Sequence, residues 1–299
     1  MCVLQKIKYS YPHFYFIFGF LKITAIYNIK GGVGKTTTAV NIACLLAKRG
    51  LSILIWDLDP QGGTSYFFNK PNKNDNNFLK LFGDYVSVYD VIEPTDTYHI
   101  DIISNDSKFS EQFINSAAHL TRVHFLNNAA VKYVLDKVKD DYDVCIIDCP
   151  PGKFSIHDNV FNCANAVLVP NVPAPLSVYC SNILYNTFQQ YNQTNVLSFY
   201  NMVQARKKLH KQYVLTTNVI KQLNSYIPFY TEIETITYNK ESIFHKLKNS
   251  KSIIFYENLW EEVCDKMNWT DLKQNKPKVL PLQPYMYFTS NQKIMEQVL

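Results

Sequence analysis

Ile23-Thr24-Ala25-Ile26-Tyr27-Asn28-Ile29-Lys30-Gly31-Gly32-Val33-Gly34-Lys35-Thr36-Thr37 is the stretch on which the fold turns. Its first part, Ile23 to Tyr27, is apolar and β-prone. Its second is a glycine loop, and Ala39 to Ala47 beyond it has helical character that stops at Gly50. Strand, loop and helix in this order let a backbone wrap phosphate oxygens, with N–H groups pointing inward and the positive helix end facing the anion. Gly31, Gly32, Val33, Gly34, Lys35, Thr36 and Thr37 are the candidate binding residues. Lys35 is expected to reach the β- and γ-phosphates of a nucleoside triphosphate, and the Thr36 hydroxyl to ligate Mg²⁺.

Two further motifs sit at the ends of apolar runs. Ser52-Ile53-Leu54-Ile55-Trp56 reads as a strand covered on both faces, and it ends in Asp57-Leu58-Asp59-Pro60-Gln61-Gly62-Gly63. Period-two alternation puts Asp57 and Asp59 on one side of the chain, so two carboxylates can address one point. Asp143 to Asp148 is a third strand, with Asp148 at its end followed by Cys149-Pro150-Pro151-Gly152. A hydrophobic strand that sets a carboxylate beside the Mg²⁺ of a neighbouring phosphate loop is the Walker B arrangement. Of the nine glycines, six (Gly31, Gly32, Gly34, Gly62, Gly63 and Gly152) fall just after these three strands. Those strand ends are where a parallel α/β sheet binds ligands.

With 299 residues and a formal charge of +5, the chain can bury a full core, and its charge alone does not argue for nucleic acid. The distribution says more. From Arg206 to Lys251 there are nine basic residues and three acidic ones, an excess larger than that of the whole chain. The seven cysteines include no C-x-x-C pair and read as reduced thiols, several on buried strands. The aromatic run from Tyr11 to Leu21 is too short to cross a bilayer and lacks a small-residue cleavage site. Residues 1–20 are expected to be an upstream extension, such as a misassigned start would give, with a peripheral anchor as the lesser reading.

Elsewhere, Asp90 to Ile92 reads as a helix end, Ile100 to Asn105 as a strand, and Leu120 to Lys139 as a helix with an apolar stripe. Asn69 to Asn77 is polar and turn-rich, as a surface loop is. Ala166 to Pro170 and Leu197 to Met202 read as further strands.

The glycine loop departs from G-x-x-x-x-G-K-[ST], since Ile29 stands at the first glycine. Lys30, before the glycine pair, resembles the signature lysine of the deviant Walker A ATPases, the ParA/Soj/MinD group. Asp57 to Gly62 resembles the D-x-D-P-Q-G motif of ParA-type proteins, which commonly carry Asn where this chain has Gly63. The likeness runs from about Leu21 to about Val263. It takes in Ile102 to Asn105, Phe161 to Pro170, Tyr200 to Met202 with Ala205 to His210, and Ile227-Pro228.

The resemblance implies a doubly wound, mostly parallel α/β sheet with helices on both faces, spanning residues 21–265, with residues 266–299 a tail of unknown role. It implies an ATPase that uses ATP and Mg²⁺ and forms a face-to-face homodimer on ATP binding. Lys30 would cross to the partner's phosphates, Asp59 would position the attacking water, and Thr36, Asp57 and Asp148 would serve the cation. Asn201 and Pro228 would border the adenine. In partition members the dimer binds DNA without sequence preference and works with a centromere-binding, ParB-like partner. Arg206, Lys207, Lys208 and Lys211 supply such a face here, and the expected location is cytoplasmic, on the nucleoid. The alternatives are a MinD-like positioning ATPase at a membrane, against which the single basic residue of Gln292 to Leu299 counts, or a nucleotide-controlled regulatory module.

Overall fold

The apolar runs become strands because each is covered on both sides. A computed structural model describes residues 21–70, 86–105, 129–189, 191, 195–215, 221–235, 240 and 251–273. Among them lie strands β1 (Lys22–Ile26), β2 (Ile53–Asp57), β3 (Ile92–Pro94), β4 (Ile100–Ile103), β5 (Val144–Asp148), β6 (Ala166–Asn171), β7 (Asn195–Val203) and β8 (Gln222–Pro228). They form one sheet in the order β3-β4-β2-β5-β1-β6-β7-β8. Only the β3–β4 pair is antiparallel.

The helices are α1 (Lys35–Lys48), α2 (Gly63–Phe67), α3 (Ala130–Asp136), α4 (Ser155–Cys163), α5 (Pro175–Phe188), α6 (Lys208–Leu215), α7 (Thr231–Glu234) and α8 (Lys251–Met267). Alternation along the strands sorts residues between two cores. Ile53, Ile55, Val144, Ile146 and Leu168 face α1 and α8, and Leu54, Trp56, Cys145, Ile147 and Val167 face α3, α4 and the end of α5. This is the doubly wound α/β architecture, and it explains why β2 and β5 show no polar face.

Helix α1 follows β1 through the glycine loop and ends in a Schellman motif, in which Gly50 N–H donates to Ala47 O (2.9 Å) and Leu51 N–H to Leu46 O (3.2 Å). Gly50, at φ 86°, takes the left-handed turn that this closure needs. The site-bearing edge follows from strand order. β1 lies between β5 and β6, so the loops after β1, β2 and β5 share one end of the sheet beside the point where the winding reverses.

Four expectations change. The chain around Asp90 is a single 3₁₀ turn (Val88–Asp90) that leads into edge strand β3, not a helix end. β8 is a seven-residue strand where only an Ile-Pro turn had been legible. The boundary at residue 265 falls inside α8: Trp269 and Leu272 are buried in the same core as Trp260, and Arg49 Nη1 donates to Lys273 O (3.3 Å). Full burial of Leu259 and Val263 on α8 stabilises by roughly 2 kcal/mol each, so the packed unit runs at least to Lys273. Cys145 is on a strand, but Cys44 and Cys264 are buried on helices. Residues 1–20, 71–85, 120–128 and 274–299, on which other expectations fall, lie outside the described residues.

Candidate nucleotide site

Asn28, two residues past the end of β1, shapes the glycine loop. Fully buried, it accepts from Lys30 N–H at Oδ1 (2.9 Å) and donates from Nδ2 to Pro170 O (2.8 Å) and Asn171 Oδ1 (3.0 Å). It thus fastens the loop to the end of β6. On the other side Gly152 N–H donates to Ile29 O (2.9 Å), and the Tyr27 hydroxyl to Gly152 O (2.7 Å). The loop is held between β5 and β6 before any ligand arrives.

Gly31 and Gly32 are exposed, and Val33 is buried. Gly34 sits at φ 87°, and a Cβ on it would come 2.3 Å from Asn201 Nδ2. The site is therefore closed to any side chain. Asn201 Nδ2 donates to Val33 O (2.8 Å) from a bulge in β7. The structure accordingly places Asn201 as a brace beneath the loop, and Pro228 opposite Val203 at the neighbouring strand end. Gly34 caps α1 without a side-chain hydrogen bond, so the first N–H groups of a 14-residue helix remain to meet an anion.

Lys35 is buried and donates from Nζ to Lys30 O (3.1 Å). Burial lowers its pKa, while the charges of Asp148 and then Asp59 oppose that shift and favour the ammonium. Lys30 is half-exposed, and its Nζ lies 3.4 Å from Ser177 Oγ at the start of α5. Thr36 Oγ1 donates to Asp148 Oδ2 (2.8 Å), and Thr37 O accepts from Asn41 Nδ2 (2.8 Å).

Strand register brings Asp57 beside Asp148. Asp57 is tied to its own loop: Oδ2 accepts Ser65 N–H and Oγ–H (both 2.7 Å), and Oδ1 accepts Asp59 N–H (3.1 Å). These bonds make it a brace for the loop, while Oδ1, with one of its two lone pairs used, keeps an acceptor site on the side where the resemblance expects a cation. Asp59 Oδ1 accepts Gln61 N–H (2.9 Å), and its charge is one of those that favour the Lys35 ammonium. Burial, and next the charge of Asp57, pushes Asp148 well above the ordinary carboxylate range. Burial does the same to Asp57 against the pull of the Ser65 bonds.

Asp148 Oδ1 is buried with no hydrogen-bond partner among the described residues. That orphan acceptor, beside a Thr36 hydroxyl whose lone pairs are free, fits a hydrated cation. Among the described residues no group of three or more His, Cys, Asp or Glu side chains could hold a metal by itself. The fit is therefore to an ion shared with phosphates and waters.

His157 was not singled out by the sequence. Its Nδ1 accepts Phe154 N–H (3.0 Å), which leaves the proton on Nε2 to donate to Pro150 O (3.2 Å). Burial lowers its pKa to about 4, so the ring is neutral and pins the segment after Asp148. Away from this edge, Arg206, Lys207, Lys208 and Lys211 are exposed on one turn and the start of α6. Lys240 does not join them, since its ammonium lies 4.0 Å over the Tyr66 ring and bonds Asn69 Oδ1 (2.7 Å).

The fold and this edge define a P-loop nucleotide-binding protein with the deviant, two-lysine glycine loop. The chain belongs to the AAA domain family, whose family model matches residues 21–203. It is 34% identical over 150 residues to the sporulation initiation inhibitor protein Soj of Bacillus subtilis, covering 50% of this chain and 57% of Soj. It is 33% identical over 152 residues to the chromosome partitioning protein ParA of Caulobacter vibrioides, covering 50% of this chain and 55% of ParA. Among solved structures, a plasmid partition protein of Borrelia burgdorferi bound to AMPPNP superposes with a TM-score of 0.67 at 25% identity, covering 82% of this chain and 99% of that one. The matches to the curated relatives span little more than half of their length.

Proposed function

We propose that this chain is an ATP-dependent, dimerising ATPase that works as a DNA-partition switch. The observation that carries the reading is the bond from Thr36 to Asp148 beside Lys35 at the uncapped start of α1. It is supported by a Lys30 left half-exposed at the mouth of the loop, and by relatives named for chromosome and plasmid partition. ATP binds with its phosphates on the backbone N–H groups of residues 31–37. Lys35 holds the β- and γ-phosphates, and Thr36 and Asp148 hold the cation side. Mg²⁺, when bound, neutralises charge on the phosphates. Asp59 orients the attacking water, and Lys30 of a second copy completes the charge neutralisation. Turnover is slow and raised by a centromere-binding, ParB-like partner.

In the ATP state Arg206, Lys207, Lys208 and Lys211 bind duplex DNA through phosphates alone, as exposed cations without base-reading geometry do. Such binding holds the protein on the nucleoid in the cytoplasm. No helix among the described residues is long and apolar enough to cross a membrane. The test is binding of the purified chain to non-specific duplex DNA with ATP-Mg²⁺, with ADP-Mg²⁺ and without nucleotide, across a salt series. Salt-sensitive binding confined to ATP is expected; no binding in any state, with ATP still bound, rejects the DNA reading.

A further inference from the structure

Thr64, in the first turn of α2, makes a contact that the proposed function does not use. It is fully buried, and its Oγ1 donates to Asp148 Oδ2 at 2.8 Å, the same oxygen that Thr36 Oγ1 reaches at 2.8 Å. A carboxylate oxygen has about two lone-pair sites, and both on Oδ2 are taken. The unspent acceptor of Asp148 is Oδ1, buried and without a partner among the described residues.

The two hydroxyls come from segments that follow the two strands flanking β5. Thr36 comes from the first turn of α1, after β1, and Thr64 from the segment after β2 that carries Asp59. Gly63 permits this convergence, because a Cβ on it would lie 3.1 Å from Thr36 Cγ2 and 3.3 Å from Thr36 Oγ1. The departure from the motif at Gly63 and the hydroxyl at Thr64 thus act together. The next residue is fixed independently, since Ser65 is held by Asp57 through N–H and Oγ–H and by Asn105 N–H at 2.8 Å. The backbone on the C-terminal side of Thr64 is thereby anchored, and its side chain is fully buried.

We propose that Thr64 is a positioning residue for the cation: with Thr36 it clamps Asp148 Oδ2, so that Oδ1 alone meets the metal-bound water. The inference rests on the nucleotide-site reading. It also ties the Asp59 segment mechanically to the cation carboxylate, so that both halves of the reaction centre share one anchor.

The test uses Mn²⁺ as the probe, titrated by electron paramagnetic resonance into the full chain saturated with ADP, for wild type, Thr64→Val and Thr64→Ser. Valine keeps the shape and removes the donor, whereas serine keeps the donor. Loss of an outer-shell partner weakens metal binding by about tenfold or more. Thr64→Val should bind Mn²⁺ about tenfold more weakly, Thr64→Ser close to wild type, and all three should bind ADP equally in EDTA. Thr64→Ala carries the same expectation as valine should the branched side chain disturb folding. Unchanged Mn²⁺ affinity without the hydroxyl, or failure of serine to rescue, overturns the positioning role while leaving the nucleotide site intact. Failure of the wild type to bind ADP removes the nucleotide reading and this inference with it.

Discussion

The loop edge of β1, β2 and β5 and the basic turn after β7 are both assigned to anions in the proposed function, and they are built in opposite ways. At the loop edge Lys35, Asp57 and Asp148 are buried and each is held by named bonds: Lys35 to the loop, Asp57 to Ser65, and Asp148 to Thr36 and Thr64 from distant parts of the chain. At the basic turn Arg206, Lys207, Lys208 and Lys211 are exposed, and among the described residues none of them forms an ion pair. Chemistry on a phosphoryl group needs charge fixed in place before the ligand arrives. Non-specific attraction to a polyanion needs only density of charge. The same residue type, lysine, is therefore set in two different environments around one sheet.

The sharpest way to break this comparison is Lys35→Ala. Removal of a preorganised charge from a buried site should lower ATP turnover by roughly a hundredfold or more, read by phosphate release. Lys30→Ala should spare nucleotide binding to the monomer while impairing turnover. Full activity in Lys30→Ala would remove its role across the dimer.

A second prediction concerns acid. The folded-state pKa of His157, about 4, lies below its ordinary 6.5, so the native state binds fewer protons than the unfolded chain between those values. Stability from this group is present above pH 6.5 and is lost as pH falls toward 4, by about 3 kcal/mol in all. The raised pKa values of Asp57 and Asp148 act in the opposite sense, with a contribution that is lost as pH rises above the ordinary carboxylate range. Urea midpoints at about pH 7 and about pH 5 for wild type and His157→Leu separate the two, because only the His157 contribution vanishes in the variant. Equal pH slopes in both would clear His157 of the effect.

The smallest effect belongs to the exposed turn. Arg206→Ala and Lys207→Ala should each weaken ATP-state DNA binding by a similar factor on any sequence, and lower the salt slope by about 1. Neither should change the urea midpoint, since surface substitutions without partners stay within about 0.5 kcal/mol. A sequence-dependent loss would show that these side chains read bases, contrary to the comparison.

How much was legible differs from element to element. β1, β2 and β5 stood out because burial on both faces demands unbroken apolar runs, and the candidate site residues follow at their ends. β3 was missed because a three-residue edge strand ending in Pro94 has no period to detect. β8, Gln222–Pro228, mixes polar and apolar residues as an edge strand does, and only its Ile-Pro end was noticeable. Asn28, Thr64 and His157 gave no usable signal, since a single polar residue beside an apolar run is as often a cap or turn as a brace. Asn201 was noticed for a different reason and proved to bond Val33 O.

By itself the sequence determined the local devices: a glycine loop between strand and helix, carboxylates at the ends of buried strands, and a basic stretch poor in acidic neighbours. These depend on residues within one turn or one strand, and their spacing is written in the chain. Tertiary structure alone decided which devices meet. Asn28 bonds Asn171, Thr64 bonds Asp148 and Asn201 bonds Val33 across separations of 143, 84 and 168 residues. Those meetings follow from a strand order in which β5 lies between β2 and β1, with β6 on the far side of β1. Sheet order is fixed by how two cores close over the whole chain, which is why no local pattern could have announced it.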